Sequence, residues 1–350
     1  MFLPKSVIRI WDYGLTVMTK ALILIAAGMF SLFALACSGN SKAASADSSA
    51  ADSAANVTAA NVTDVSFCAD SAYAYVKAQC GFGPRIPGSK AHSACAAFIT
   101  SSLQGFCDTV VVQKGEVTAF NGKALPITNI IGSFNPQNQQ RILLLAHWDS
   151  RPWADNDPDE ANHSKPVMGA NDGASGVGVL IEVARQLAAN RPSIGVDILL
   201  VDAEDSGASN DDDSWGLGAQ YWAENPHTSP YKPMFGILLD MVGGPNARFS
   251  REYFSMAYAA SFVNEVWNVA AGLGLQSYFV NENGGGVTDD HVFINKAGIP
   301  CIDIIDMPQG SSTGFFPQWH TVADDMAVID KTTLDAVGRT ITTLIAQYRP

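Results

Sequence analysis

The amino-acid sequence predicts an α/β fold, with a largely parallel sheet covered by helices on both faces. Three observations carry that expectation. The strand-like runs are apolar throughout rather than alternating, as in strands buried on both sides. Segments with a helical apolar period separate them. No internal repeat and no second low-complexity linker interrupts the series, so residues 65–350 are expected to form one domain. With 350 residues, 47% of them hydrophobic, the chain can bury one large core.

In chain order, residues 70–79 and 89–103 read as helices, the second with Ser89 as its N-cap. Residues 110–112, 127–131 and 142–146 read as strands. Across 173–189, Val177, Leu180, Ile181, Ala184 and Leu187 fall on one helical face. A continuous apolar strand follows at 196–201, then a helix at 215–224 and a strand at 235–239. A helix at 258–271, a strand at 299–305 and a closing helix at 331–348 complete the series. In open sheets of this kind, ligands sit beyond the carboxyl ends of the strands.

Ahead of the domain, residues 21–36 form an apolar run that follows Lys20 and ends in small residues, the pattern of an export leader. Met18 is the expected initiator, with residues 1–17 upstream of it. Ala-Leu-Ala-Cys37 looks like a bacterial lipoprotein cleavage box, which makes Cys37 a lipidation candidate. The alternatives are an ordinary signal peptide with a chance cysteine, or a membrane anchor, for which the run is short of the about 20 residues a span needs. The region 1–37 is thus read as leader. Residues 38–64 read as a disordered tether, too poor in large apolar groups to fold. The expected location is the periplasm or outer membrane of a Gram-negative bacterium, with the membrane met only through a lipid anchor.

The net charge of −13, with basic residues scattered, excludes a nucleic-acid backbone as partner. Solubility is the plain reading of the acidity. Besides Cys37 there are Cys68, Cys80, Cys95, Cys107 and Cys301. An exported chain permits disulfides, and the first four of these allow three pairings. Cys80–Cys95 is the favoured pair because the two bracket a Gly- and Pro-rich turn at 81–88 between helical stretches. Cys301, in an apolar run, reads as a buried free thiol. No Cys-x-x-Cys motif is present.

The informative residues are those that leave each strand. His147-Trp148-Asp149-Ser150 follows 142–146, and Asn171-Asp172-Gly173 opens the next helix. Asp202-Ala203-Glu204-Asp205 follows 196–201, and Asp240 follows 235–239. Later loops carry Asp289-Asp290-His291 and Trp319-His320-Thr321. Each has a bland reading alone, as a turn residue or a helix cap. Together, several acids and imidazoles at successive strand exits are costly to hold without a cation. The mixed nitrogen and oxygen donors suit zinc better than calcium.

These motifs, with Trp-His320-Thr and the acid pair Glu204-Asp205, resemble the zinc aminopeptidase superfamily over roughly residues 65 to 350. That superfamily holds two-metal aminopeptidases and single-zinc glutaminyl cyclases. The resemblance implies a mixed, twisted central sheet in a zinc-hydrolase-type domain. Trp319 before the metal histidine, Asp289-Asp290-His291, the long segment 206–214 and Arg85-Ile86-Pro87-Gly88-Ser89 resemble the cyclases more than the aminopeptidases. Two departures stand out. Animal cyclases carry Glu-Glu where this chain has Glu204-Asp205, and a histidine where it has Asp303.

The resemblance implies one zinc held by Asp172, Asp205 and His320, with one position open. The implied substrate is a peptide or protein with an N-terminal glutamine, closed to pyroglutamate with release of ammonia. Glu204 is the implied proton carrier, Asp240 and Asp289 share a proton beside the γ-amide, and Trp319, Trp215 and Phe316 wall the pocket. The alternatives are a two-zinc aminopeptidase, with His147 ligating the second metal, and a non-catalytic peptide-binding lipoprotein.

Overall fold

The computed structural model describes residues 66–348. The expected leader, the Met18 start, the linker and Cys37 lie outside the described residues. Two helices come first, α1 (Ala69–Cys80) and α2 (Lys90–Gln104). Ser89 caps α2 as expected, its hydroxyl accepting the His92 N–H at 3.0 Å. Next come β1 (Thr109–Thr118), β2 (Ala124–Phe134), β3 (Arg141–His147), α3 (Ala174–Ala189), β4 (Gly195–Val201), α4 (Leu217–Glu224) and β5 (Phe235–Asp240). The chain ends through β6 (Phe249–Arg251), α5 (Tyr253–Gly272), β7 (Phe279–Asn283), α6 (Asp290–Lys296), β8 (Cys301–Ile305) and α7 (Lys331–Gln347).

Six strands form the main sheet in the order β1-β2-β4-β3-β5-β8. The pairs β4–β3, β3–β5 and β5–β8 are parallel, while β1–β2 and β2–β4 are antiparallel. The sheet is therefore mixed and mostly parallel. Every residue of β3, β4, β5 and β8 is buried, which is why these strands read as unbroken apolar runs. Successive side chains serve opposite faces. Leu144 and Ala146 pack in the layer of α1, α2, α3, α5 and α7, while Leu143 and Leu145 pack against Ala219 and Trp222 of α4 and Phe293 and Ile294 of α6.

Several elements differ from the sequence expectation. Strand β1 extends well past 110–112, because it is an edge strand whose outer half alternates with polar residues. Helix α5 starts at Tyr253, where Glu252 accepts the N–H groups of Phe254 and Ser255 at 2.9 and 2.6 Å. Strands β6 and β7 and helix α6 carry too few residues to show a period.

The Cys80–Cys95 bridge is not formed. Both are free thiols packed in the same apolar layer as α3. Burial pushes Cys80 up to about 11 and Cys95 up to about 12. The turn between them is fastened by Arg85 instead. Its buried guanidinium donates to the carbonyl oxygens of Trp148 (2.7 Å), Met168 (2.6 Å), Gly169 (2.7 Å) and Asp149 (3.3 Å). Those bonds tie the α1–α2 turn to the loops around the carboxyl end of β3.

Candidate active site

The strand exits converge. His147 ends β3, Asp240 ends β5, and Glu204 and Asp205 lie just beyond β4. Asp172 precedes α3, Asp289 caps α6, and His320 sits in the loop between β8 and α7. Asp172, Glu204, Asp205, Asp240, Asp289 and His320 all line one cavity of about 420 Å³. Its position at the carboxyl edge of the parallel strands is where such sheets bind ligands.

One potential donor atom each from Asp172, Asp205 and His320 lies within 4.8 Å of the others. His320 Nε2 is 3.0 Å from Asp205 Oδ1 and 3.8 Å from Asp172 Oδ2. The first approach makes no hydrogen bond, and both buried oxygens of Asp205 go without a hydrogen-bond partner. Two carboxylates, one of them with both oxygens unpartnered, and one imidazole fit a catalytic zinc that keeps a fourth position open. A second trio, His147, Asp172 and Asp240, also lies within 4.8 Å. Here His147 Nε2 lies 3.0 Å from Asp172 Oδ1 and hydrogen-bonds Asp240 Oδ1 at 3.1 Å.

The backbone is bent into unusual shapes to aim these groups. Gly173 has φ +76°, and a Cβ there would lie 2.6 Å from the His147 ring. Ala203 (φ +53°), Met241 (φ +49°) and His320 (φ +56°) are left-handed without being glycine. Such residues cost energy and cluster where a site demands them.

Burial and crowding of like charges set the protonation states. Glu204 is raised well above its ordinary value, by burial first and then by Asp289 and Asp205, with His147 opposing. Burial and Asp240 push Asp289 up to about 7. Asp240 is raised by burial, against the pull of His147. Burial would lower His320, but Asp205, Asp155 and Asp172 push it up to about 9. This cavity thus holds more negative charge than its own side chains compensate, the condition a cation relieves.

The cavity walls are aromatic. Trp319 stacks on His320 at a centroid distance of 3.8 Å, Trp215 faces the same imidazole at 6.0 Å, and Phe315 packs on Trp319 at 4.3 Å. Trp215 and Trp319 line the cavity as the sequence suggested. Phe316 does not. It is only 2% exposed and packs behind the wall with Met241 and Ile305. Phe315 holds the wall position instead. In an irregular loop, neighbouring side chains point apart and no period says which one faces inward.

Reading the sequence also passed over the acids that brace the site. Asp149 accepts the main-chain N–H groups of Glu204 (3.1 Å) and Asp205 (3.2 Å). Asp324 accepts those of Asn171 (2.8 Å) and Asp172 (3.1 Å). Asp155 Oδ1 lies 3.3 Å from His320 Nδ1. Asp149 was visible inside the His-x-Asp motif, but Asp155 and Asp324 look like ordinary loop acids.

A polar cavity that gathers two carboxylates and an imidazole within metal-binding reach, at the strand exits of an open α/β sheet, defines a metal-dependent enzyme. The chain belongs to peptidase family M28, whose model matches residues 129–345. Among solved structures, a glutaminyl cyclase from Tannerella forsythia is 49% identical with a TM-score of 0.80, over 81% of this chain and 100% of that one. A Zn-dependent exopeptidase from Parabacteroides distasonis ATCC 8503 is also 49% identical with a TM-score of 0.80, over 82% of this chain and 100% of that one. A glutaminyl-peptide cyclotransferase of Bos taurus is 24% identical over 63% of this chain and 66% of its own length.

Proposed function

We propose that this chain is a zinc-dependent glutaminyl-peptide cyclotransferase, which converts an N-terminal glutamine to pyroglutamate and releases ammonia. The observation that carries the reading is the content of the cavity. Three buried carboxyls outside the metal trio, Glu204, Asp240 and Asp289, share it with that trio behind walls of Trp215, Trp319 and Phe315. Likeness to solved cyclases supports it.

The reaction joins the substrate's α-amine nitrogen to its own γ-carbonyl carbon and breaks the bond from that carbon to the amide nitrogen. Asp172, Asp205 and His320 would hold zinc, which when bound supplies Lewis acidity toward the γ-carbonyl oxygen. Glu204, raised by burial, takes a proton from the attacking amine and delivers it to the departing nitrogen. Burial raises both Asp240 and Asp289, and Asp240 raises Asp289 further, so the pair retains a proton and holds the γ-amide by hydrogen bonds. The aromatic walls exclude water, which this cyclisation does not need. His147, hydrogen-bonded to Asp240 at 3.1 Å, orients that acid and stays off the metal.

The decisive experiment incubates the purified, zinc-loaded protein with a Gln-initiated peptide and follows loss of ammonia by mass spectrometry, with zinc content measured in parallel. Cyclisation at one zinc per chain is expected. The trio of His147, Asp172 and Asp240 favours the second reading, a two-zinc aminopeptidase. Release of free amino acids at two zinc ions per chain would establish that reading in its place.

The chain is further proposed to be exported and anchored through Cys37. Cell fractionation of the unaltered protein and of Cys37→Ser tests this. The anchor requires the unaltered protein in the membrane fraction and the variant released from it.

A further inference from the structure

We propose that Arg151 and Asp155 form a positioning unit that sets the ligating geometry of His320 and Asp205 and aligns the Trp215 wall. The proposal rests on the assignment of His320 and Asp205 as metal ligands. The guanidinium of Arg151 is buried and lies against two indole rings, 4.6 Å from the centroid of Trp153 and 4.8 Å from that of Trp215. Its Nε and one terminal nitrogen donate to the two oxygens of Asp155 at 3.1 and 2.6 Å. Its other terminal nitrogen donates to the carbonyl oxygens of Asp205 (3.0 Å) and Gly207 (2.9 Å). One side chain therefore grips the main chain of one ligand and the carboxylate that faces the other.

Asp155 Oδ1, 3.3 Å from His320 Nδ1, is placed to accept its proton. Acceptance there fixes the tautomer that leaves Nε2 with its lone pair toward Asp205 and Asp172. The main chain reinforces the alignment, because Asn156 donates its N–H to the His320 carbonyl at 3.1 Å. His320 needs this help. Its φ of +56° is a strained conformation for a residue with a side chain. The fork geometry explains why the cation is arginine, since lysine cannot engage a carboxylate and two carbonyls in one plane.

The test uses the full chain and reads the metal rather than turnover, so it stands or falls separately from the cyclase reading. Zinc affinity is measured by competition with a chromophoric chelator, and ligand geometry by the visible spectrum of the cobalt(II)-loaded protein. Asp155→Ala is expected to weaken zinc binding by about 10–100-fold and to change the cobalt spectrum. Asp155→Asn, whose amide oxygen still accepts from Nδ1, is expected to recover most of both. Arg151→Lys keeps the charge but loses the fork, and is expected to weaken zinc binding. Should Asp155→Ala fail to fold, Arg151→Lys carries the test. Zinc affinity and cobalt spectrum unchanged in the variants that fold would overturn the proposal, as would an Asp155→Asn no better than Asp155→Ala.

Discussion

Asp149 accepts the main-chain N–H of Glu204 at 3.1 Å, and its second oxygen accepts that of Asp205 at 3.2 Å. One carboxylate thereby locks the backbone of two adjacent acids, so that their side chains enter the cavity as separate groups. Glu204→Gln is expected to keep zinc and fold while turnover of a Gln-initiated peptide falls by about 10²–10⁴-fold, the usual loss of a general base. Asp205→Ala is expected to lose zinc and activity together. Near-normal turnover in Glu204→Gln, or loss of zinc from it, would show that the two roles have been assigned to the wrong residues.

Gly173→Ala places a methyl group 2.6 Å from the His147 ring at a backbone φ of +76°. Strain at such a position costs about 1–3 kcal/mol, and displacement of His147 adds to it. Urea unfolding of the variant is expected to show a lower midpoint. An unchanged midpoint would mean that the turn relaxes freely and does not hold His147 in place.

Asp306, just past β8, accepts the Arg248 N–H at 3.0 Å. Burial pushes its carboxyl up to about 6 from an ordinary 3.8. The folded state therefore holds this proton more tightly than the unfolded chain does. The group costs stability as pH rises from about 4 toward 6, and the full cost persists above that range. Asp306→Asn keeps an acceptor without the charge, so it is expected to raise stability above pH 6 and leave it unchanged in acid. Urea midpoints of both proteins across that range check it, and identical pH slopes would count against it.

The five described cysteines are free, and burial raises those of α1 and α2 to about 11 and 12. Thiol titration of the unreduced protein is expected to show little reaction at Cys80 and Cys95 in the native state. On unfolding, both are expected to react. A peptide map showing them linked would restore the disulfide.

What the sequence revealed follows from how parallel sheets work. His147, Asp172, Glu204, Asp205 and Asp240 were legible because each comes directly after an unbroken apolar strand or opens a strongly periodic helix. Buried strands announce their own ends. Phe316 was misread, and Asp155 and Asp324 were passed over, because loop residues follow no period. Their roles depend on partners far along the chain. The bridge between Cys80 and Cys95 looked reasonable from a turn that needed fastening. The fastener is Arg85, whose partners are main-chain carbonyls and so leave no trace in residue identities. The small pair β6 and β7 and helix α6 escaped for want of length.

Arg85 also bears on where this domain can be divided. The stretch that matches the family model begins at residue 129, inside β2 and beyond α1, α2 and β1. A chain cut there would leave the carbonyls of Trp148, Asp149, Met168 and Gly169 without their shared donor, at roughly 1–3 kcal/mol for each one stranded from water. It would also bare the face of α3 that Ala72 and Val76 of α1 now cover. That loss is comparable with the whole stability of about 5–15 kcal/mol of a folded domain. The stretch matched by the family model is thus expected to fold poorly alone, because the preceding helices brace the loops of the catalytic edge.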